Sequence, residues 1–504
     1  MYDVCIIGSG VVGSAIAREL SKYQVRVALV ERAEDVTQGA SKANSGIVHG
    51  GYSAKNGTLK AELCAIGNRM YDDWQNELHF GLRRCGSLVV AFDDQDLEAL
   101  GRLYENGAKN GARGLKILSA AEVRSIEPNS SAQIKGALHC STAGVTSPYE
   151  LTIALAENAV RNGVALMLNH EVTAIETANH FTVRAGNTAI EAEFVINAAG
   201  VRSDQVARMV NAADFEITPR KGEYILFERG YGGLVNTVVF QTPTKNGKGI
   251  LVTSTYHGNL MIGPNAEEVS DRDDAGTAEE SLKEIIATAR KSVPVFDLSK
   301  VITNFSGLRP TSTRKDFIIE ESSVPRFINV AGIDSPGLTS SPAIALRVLE
   351  ILKSAGLVLR AKSAFQSLRR GIIIPKSLEP AELKRRVELS EGPERIVCRC
   401  EQVSEAEILD AMGRGIPIET TDAVKRRTRA GMGQCQGQFC RPRVKALLAR
   451  ELGRPVEEIH VRRDERATEG RPGRAFFQRL AAAERAPDIS PERRRQTVGG
   501  HGGD

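Results

Sequence analysis

No uninterrupted apolar stretch in this sequence approaches the roughly 18 to 20 residues that a membrane-crossing helix needs; the best, such as "SLVVAF" and "RFINVAG", are short. No transmembrane segment is expected. An apolar strand beginning within three residues of Met1 leaves no room for a signal or transit peptide if Met1 is the initiator. The expected location is cytoplasmic, with peripheral membrane attachment through a partner left open. Excess charge of either sign is missing too. With 66 Lys and Arg against 62 Asp and Glu, the formal charge is +4 over 504 residues, which argues against a nucleic-acid binder and against a polybasic membrane anchor. Cysteine is scarce: eight residues make no disulfide framework, and Cys5, Cys64, Cys85 and Cys140 stand singly, as buried apolar thiols do. The other four are clustered.

What is present has the composition of a soluble globular protein, 41% hydrophobic and 25% charged, and the length calls for about two to four domains. The start, "YDVCIIGSGVVGSAIARELSKYQVRVALVER", predicts a strand over 3–7, a glycine turn, a helix over 11–22 and a strand over 25–30. A long α/β body follows, expected to end near 365 after a helix at about 341–355. Within it, "FVINAAG" (194–200) and "RFINVAG" (326–332) read as strands ending at glycine. Between them, β-rich stretches at 222–227 and 250–263 and a helical segment near 278–291 predict a sheet-based lobe, about 205–325, inserted into the first unit. A polar linker is expected over 366–393. A small domain is expected over 394–460, where Ser404 and Glu407 have capping-box spacing. Disorder is expected over the Arg-, Gly- and Pro-rich 461–504, apart from a short helix around "AFFQRLAAAE".

Gly8, Gly10 and Gly13 form a G-x-G-x-x-G between strand and helix. The first permits a tight turn, the second lets the backbone approach a pyrophosphate, and the third lets helix and strand pack closely. Glu31 ends the second strand, about 20 residues on, where a carboxylate accepts hydrogen bonds from ribose hydroxyls. This is a dinucleotide site. The chain then continues into "GASKANSGIVHGGYS" (39–53), small, polar and without strand pattern, rather than into regular βαβ repeats, and such a segment suits packing along an extended cofactor. Later, "INVAGIDSPGLTSSPAIALRVLEIL" predicts a strand, a glycine-rich turn and a helix starting at Ser340 to Ala343, whose positive end can face a flavin pyrimidine ring. Flavin is favoured over nicotinamide. Candidate cofactor-binding residues are therefore Arg32 beside Glu31, Ser41, Asn44 and Ser45 in the loop, Gly200 and Gly332 at the strand ends, and Gly337, Leu338 and Thr339 before the late helix.

Taken in order over roughly residues 1–360, "GSGVVGSAIARELS…VER", "SKANSGIVHGGY", "RKGEY", "SGLRP" and "INVAGIDSPGLTSSPAIA" resemble the FAD-dependent glycerol-3-phosphate dehydrogenases and oxidases. These belong to the D-amino-acid-oxidase-like flavoproteins, with L-2-hydroxyglutarate dehydrogenases as near relatives. Oxidising a secondary alcohol on a flavin needs a base for the hydroxyl proton, an open path for hydride to N5, and a hold on the rest of the substrate. His49 is the candidate base, and the resemblance places Ser45 and His49 on the flavin's substrate face. Arg309 in "SGLRP" is the candidate grip on a small anionic substrate, because a guanidinium holds phosphate or carboxylate through two parallel hydrogen bonds. The alternatives are a structural histidine and a salt-bridged arginine. Lys221, His257 and Ser335 are weaker candidates for the same pocket. A phosphate ester would mean glycerol 3-phosphate; a carboxylate would mean 2-hydroxyglutarate or an amino acid. The spellings "GLRP" and "VHGGY" lean toward the phosphate ester.

The clustered thiols are Cys398-x-Cys400 and Cys435-x4-Cys440. Such pairs encircle zinc or a [2Fe–2S] cluster, and C-x-C is an unusual spacing for zinc. With Gly431, Gly433 and Gly437 exposing amides toward sulfur, the segment resembles the bacterioferritin-associated ferredoxin module, which implies a [2Fe–2S] cluster on all four cysteines. Reduced flavin must discharge two electrons, and a tethered one-electron cluster is an exit other than oxygen, toward a redox protein or a quinone. The expectation is an α/β (α+β) protein: a Rossmann-like FAD-binding domain with an inserted antiparallel-sheet substrate domain, and a small, mostly helical [2Fe–2S] domain. The expected reaction is glycerol 3-phosphate to dihydroxyacetone phosphate. An L-2-hydroxyglutarate or amine dehydrogenase, and a non-catalytic electron-transfer or iron-handling partner, remain alternatives. The basic run Lys425, Arg426, Arg427 and Arg429 reads as a solvated helix face, the alternative being a dock for an acidic electron acceptor or a means of raising the cluster's potential.

Overall fold

The first strand, Tyr2–Ile7, runs parallel to Val27–Val30 on one side and to Thr188–Asn197 on the other, with Val4 opposite both Val27 and Phe194. Its nearly continuous apolar run suits a parallel strand covered on both faces. Phe327–Ala331 and Ala165–Met167 extend the parallel sheet at either side, and the hairpin Val172–Thr177/Phe181–Ala185 adds an antiparallel flank. The helices Val11–Leu20, Leu59–Leu78, Pro148–Arg161 and Gly337–Ser354 cover one face, where Ile16, Leu20, Tyr71, Leu155 and Val348 share a core. The computed structural model describes residues 1–243, 249–372, 395–462 and 471–485.

Among the described residues the second sheet has nine strands. Its spine is Ile217–Arg229, which pairs antiparallel with Val301–Ser312 along almost its whole length, from Ile217↔Ser312 to Phe227↔Val301. Asn259–Gly263, Leu251–Ser254 and Val238–Gln241 follow in order. The sheet is not confined to the predicted 205–325 segment. Ser87–Ala91 joins Val238–Gln241 as a parallel pair, and Gly136–Cys140 and Leu115–Ser119 complete the edge. Nothing local in residues 87–140 announces which sheet they join. The helix Glu279–Ser292 covers the back through Leu282, Ile285 and Ala289.

The small C-terminal domain begins with the hairpin Ile396–Cys398/Val403–Ser404 and continues into the helices Glu405–Met412, Thr421–Thr428 and Arg441–Leu452. The capping box of Ser404 and Glu407 forms as its spacing predicts. Val403, Ile408, Val424 and Leu448 fill the core.

Candidate functional site

A cavity of about 1560 Å³ lies between the two sheets. Gly8, Gly10, Glu31 and Arg32 line one end. Gly8 has φ +102°, and a Cβ there would lie 2.5 Å from the Ala198 carbonyl oxygen; at Gly13, outside the cavity, it would lie 1.9 Å from the Gly8 carbonyl oxygen. Only glycine lets strand, turn and helix approach this closely. The first helix opens at Val11 with no side-chain bond from its N-cap Gly10, and the Ser41 hydroxyl accepts the Val11 N–H at 2.8 Å. The positive helix end thus meets the cavity. Glu31 accepts the Ser9 N–H (2.9 Å), the Ser9 hydroxyl (2.8 Å) and the Ala33 N–H (3.1 Å). These bonds aim the carboxylate and leave lone-pair capacity for a ribose. Arg32 pairs with Asp273 at 3.1 Å. A Cβ on Gly200 would have no atom within 4 Å, so its backbone is open. The cradle fits the adenosine diphosphate half of FAD.

Asn44 closes the loop beyond. Its amide donates to the carbonyls of Ala40 (3.0 Å) and Ser41 (3.1 Å), and its oxygen accepts the Gly46 N–H at 2.8 Å. Ser45 lies 3.3 Å from the Tyr224 hydroxyl. The late helix starts at Gly337, earlier than the predicted Ser340–Ala343. Pro342 does not open the helix but sits inside it, where its ring leaves the Leu338 carbonyl without the usual amide donor. The Tyr71 hydroxyl (2.6 Å) and Ser341 hydroxyl (2.9 Å) donate there instead. Gly337 and Leu338 line the cavity. Thr339 is fully buried behind it, and Gly332 makes a left-handed turn against Ser312.

The His49 ring stacks on Phe240 (centroids 6.0 Å apart) with Nε2 3.5 Å from the Ser335 hydroxyl. Its backbone is fixed independently: Thr339 Oγ1 accepts its N–H at 2.9 Å, and Asn68 donates to its carbonyl at 2.8 Å. Arg309 lies opposite Arg220 in the strand ladder, lines the cavity, and donates to the Asn265 carbonyl at 3.1 Å. A Cβ on Gly222 would sit 2.3 Å from its Nη2, so glycine makes room for the guanidinium. His257 lines the cavity and pairs with Glu150 at 2.6 Å. Lys221 is held in ion pairs with Asp274 (2.8 Å) and Glu223 (3.8 Å), away from the cavity wall. Sequence reasoning did not single out Phe240 or Tyr224, since an aromatic residue in a strand carries no signal of the face it lines.

The four clustered cysteines meet two by two, Cys398 with Cys440 and Cys400 with Cys435. The Cys440 thiol, followed by the N–H groups of Gly431 and Glu401, lowers Cys398 to about 6 against burial. Cys435 is also lowered: burial raises it, but the Phe439 N–H, the Cys400 thiol and the Gly437 N–H outweigh that. At Gly433 a Cβ would lie 2.3 Å from the Cys400 Cβ. Among the described residues no three His, Cys, Asp or Glu side chains converge as a single-ion site. The four thiols would hold a [2Fe–2S] cluster, and the donated amides would suit its sulfur ligands.

A family model described as FAD dependent oxidoreductase matches residues 3–351. The chain belongs to that family. A second model, BFD-like [2Fe-2S] binding domain, matches residues 396–450, and the cofactors of this flavoprotein are FAD and a [2Fe–2S] cluster. A glycerol 3-phosphate dehydrogenase from Caloramator mitchellensis is 49% identical over 464 residues, 91% of this chain and 96% of that protein. A glycerol 3-phosphate oxidase from Mycoplasma genitalium is 33% identical over 361 residues, 69% of this chain and 94% of that protein. The FAD-bound, dithionite-reduced L-α-glycerophosphate oxidase of Mycoplasma pneumoniae superposes with a TM-score of 0.70 at 30% identity, over 73% of this chain and 98% of that one.

In this flavoprotein the C-terminal domain rests on the FAD-binding body. The expectation of a solvated basic helix face is overturned: Arg426 and Arg427 are 4% and 3% exposed. Both bond Asp35, Arg427 through two contacts of 2.8 Å and Arg426 through one of 2.8 Å. The partner lies so far away in sequence that no local pattern could reveal it. Burial pushes the Asp35 carboxyl up, but Arg427 and Arg426 bring it down to about 2. Arg429, whose φ of 70° ends the helix Thr421–Thr428, reaches Glu401 (2.9 Å), the Tyr149 hydroxyl (3.1 Å) and Asn259 (3.3 Å). The helix Arg474–Arg485 forms where a short helix was expected and buries Phe476, Phe477 and Ala481 in the core of the second sheet. Residues 463–470 and 486–504 of the expected disordered tail, and 373–393 of the expected linker, lie outside the described residues. Residues 366–372 run along the body, where Arg369 bonds Glu157 (2.6 Å) and the Leu78 carbonyl (3.0 Å). No described helix is long and apolar enough to cross a membrane.

Proposed function

We propose that the protein oxidises sn-glycerol 3-phosphate to dihydroxyacetone phosphate and passes the electrons on through its C-terminal domain. The observation that carries this reading is that His49 and Arg309 line one cavity with the first-helix turn and with Gly337 and Leu338. Gly8, Gly10, Glu31, Ser41, Asn44 and Gly200 would hold the nucleotide half of FAD, while Ser45, Gly337 and Leu338 would border its ring. When bound, FAD supplies the two-electron acceptor and the cluster a one-electron outlet. His49 Nε2 takes the proton of the substrate hydroxyl, with the ring held edge-on to Ser335 by Phe240. Arg309 binds the phosphate through its fork and so fixes which carbon faces the reacting position. Phe240, Met261 and Leu251 give that space apolar walls that exclude water.

The relatives favour a dehydrogenase over an oxidase. The Mycoplasma genitalium oxidase is matched over 94% of its length by 69% of this chain, whereas the Caloramator dehydrogenase matches 91% of it. The test is anaerobic titration of the purified protein, following the flavin absorption. Glycerol 3-phosphate should bleach it, with L-2-hydroxyglutarate and secondary amines as comparison arms. Bleaching by one of those alone would reassign the substrate, and bleaching by none would end the enzymatic reading.

A further inference from the structure

The basic run of the C-terminal domain is turned inward, with Arg426 and Arg427 buried on Asp35, and the surface around Cys400 carries a different set of groups. Two turns meet there. One, between the strands Ile396–Cys398 and Val403–Ser404, holds Arg399, Cys400 and Gln402; the other runs from Gly433 to Cys440. Of the four clustered thiols, Cys398 and Cys440 are buried and Cys400 is exposed, so Cys400 marks where the cluster site comes nearest to water. Phe439 stands between Cys435, which its N–H bonds, and Cys440. Its side chain is 77% exposed, more than any other large apolar side chain among the described residues, and the domain's core closes without it. Arg399 adjoins Cys400, and Arg441 and Arg443 follow Cys440; all three are exposed. Arg441 donates to the Gln436 carbonyl at 3.3 Å, and among the described residues no ion pair engages any of the three. The described carboxylates that touch these turns are engaged elsewhere. Glu401, 4% exposed, lies between Arg229 (3.2 Å) and Arg429 (2.9 Å), and Glu228, which accepts from Gln434 at 3.4 Å, holds Lys300 at 2.9 Å.

Two of these features run against what stability alone would select. An aromatic side chain left in water forgoes the gain of burial. The helix Arg441–Leu452 has no acidic residue in its first turn but two arginines, where the positive end of a helix favours carboxylates. Both are accounted for when another surface covers them. Aromatic and arginine side chains anchor protein–protein contacts, and a positive rim steers and orients an acidic partner. Resting on the electron route proposed above, we propose that Phe439, with Arg399, Arg441 and Arg443 around it, seats an acidic, one-electron redox protein that draws electrons from the cluster beside Cys400. Oxidation of one alcohol to a ketone releases two electrons and two protons. Each seated acceptor takes one electron, so two are reduced in succession for each substrate, and the protons pass to water.

The test uses the full chain loaded with FAD and cluster and reduced without oxygen by stoichiometric dithionite, so that it does not depend on the substrate assignment. It is mixed in a stopped-flow instrument with an acidic b-type cytochrome or a basic c-type cytochrome. The acidic cytochrome should be reduced with the larger second-order rate constant, and that constant should fall as ionic strength rises. Phe439→Ala, which keeps the N–H to Cys435, and Arg443→Glu should each lower it on the order of tenfold or more, while Arg443→Lys retains it. Iron content and the midpoint potential of the cluster should stay at the wild-type values. The docking face is overturned if the basic cytochrome is reduced as fast, if Phe439→Ala and Arg443→Glu leave the rate unchanged, or if slower delivery follows a shifted potential. It is equally overturned if Phe439→Ala abolishes self-association in sedimentation or flotation with anionic vesicles, which would give the face to a second copy or to a membrane. Delivery that Cys435→Ser leaves undiminished ends the electron route and the docking face together. Delivery lost in Cys435→Ser but untouched in Phe439→Ala and Arg443→Glu ends the docking face alone.

Discussion

His49 and Arg309 differ in what their removal should do. The His49 main chain is held by Thr339 and Asn68 rather than by its ring, so His49→Ala should keep the cavity's shape and FAD content while lowering kcat by about 10²- to 10⁴-fold, the usual range for a lost general base. Arg309→Ala should act chiefly on KM for an anionic substrate, since in the proposed role the guanidinium would grip a part of the molecule that does not react. Anaerobic steady-state kinetics beside the flavin spectrum checks both; unchanged kcat and KM in both variants would move the chemistry elsewhere. That His49 and Arg309 would share a cavity was legible in the sequence because each sits in a short motif with its neighbours, as Gly8, Gly10 and Gly13 do. Lys221 was not: its strand alternates between cavity and exterior, and a one-residue difference in phase turns it into the ion pair with Asp274.

At the scale of elements, the helix Thr421–Thr428 docks through a fully buried ion cluster. Replacing Asp35 by Ala leaves Arg426 and Arg427 buried without their carboxylate, which should cost about 3–5 kcal/mol, read by denaturant unfolding. Because the Asp35 carboxyl falls from the usual 3.8 to about 2 in the fold, its contribution is complete above pH 3.8 and is lost as pH drops from there toward 2. The wild type should therefore lose stability over that window more steeply than Asp35→Asn. The C-terminal helix makes a parallel case: Phe477 is 1% exposed, and Phe477→Ala should cost about 3–5 kcal/mol. Strands and helices of the nucleotide unit were readable from periodicity. The recruitment of residues 87–140 into the second sheet was not, because strand partners are chosen by long-range packing that leaves no trace in local alternation.

For the whole molecule, the reading joins two redox centres in one chain. Cys435→Ser should leave reduction of the flavin by substrate intact and slow electron delivery to an external acceptor, measured by stopped flow without oxygen; undiminished delivery would make the cluster structural. The two modules were legible separately, from a glycine pattern at one end and a cysteine pattern at the other. Their mutual placement was not, since it rests on pairs such as Arg427 with Asp35. The small domain is secured before it begins, by residues 366–372 on the body, and after it ends, by the helix Arg474–Arg485 in the lobe. A module clasped at both ends is no swinging arm. On the proposed electron route, traffic between the centres would have no diffusional leg, and its rate constant should be indifferent to dilution and viscosity, leaving the meeting with an outside acceptor as the one step that solution conditions can throttle.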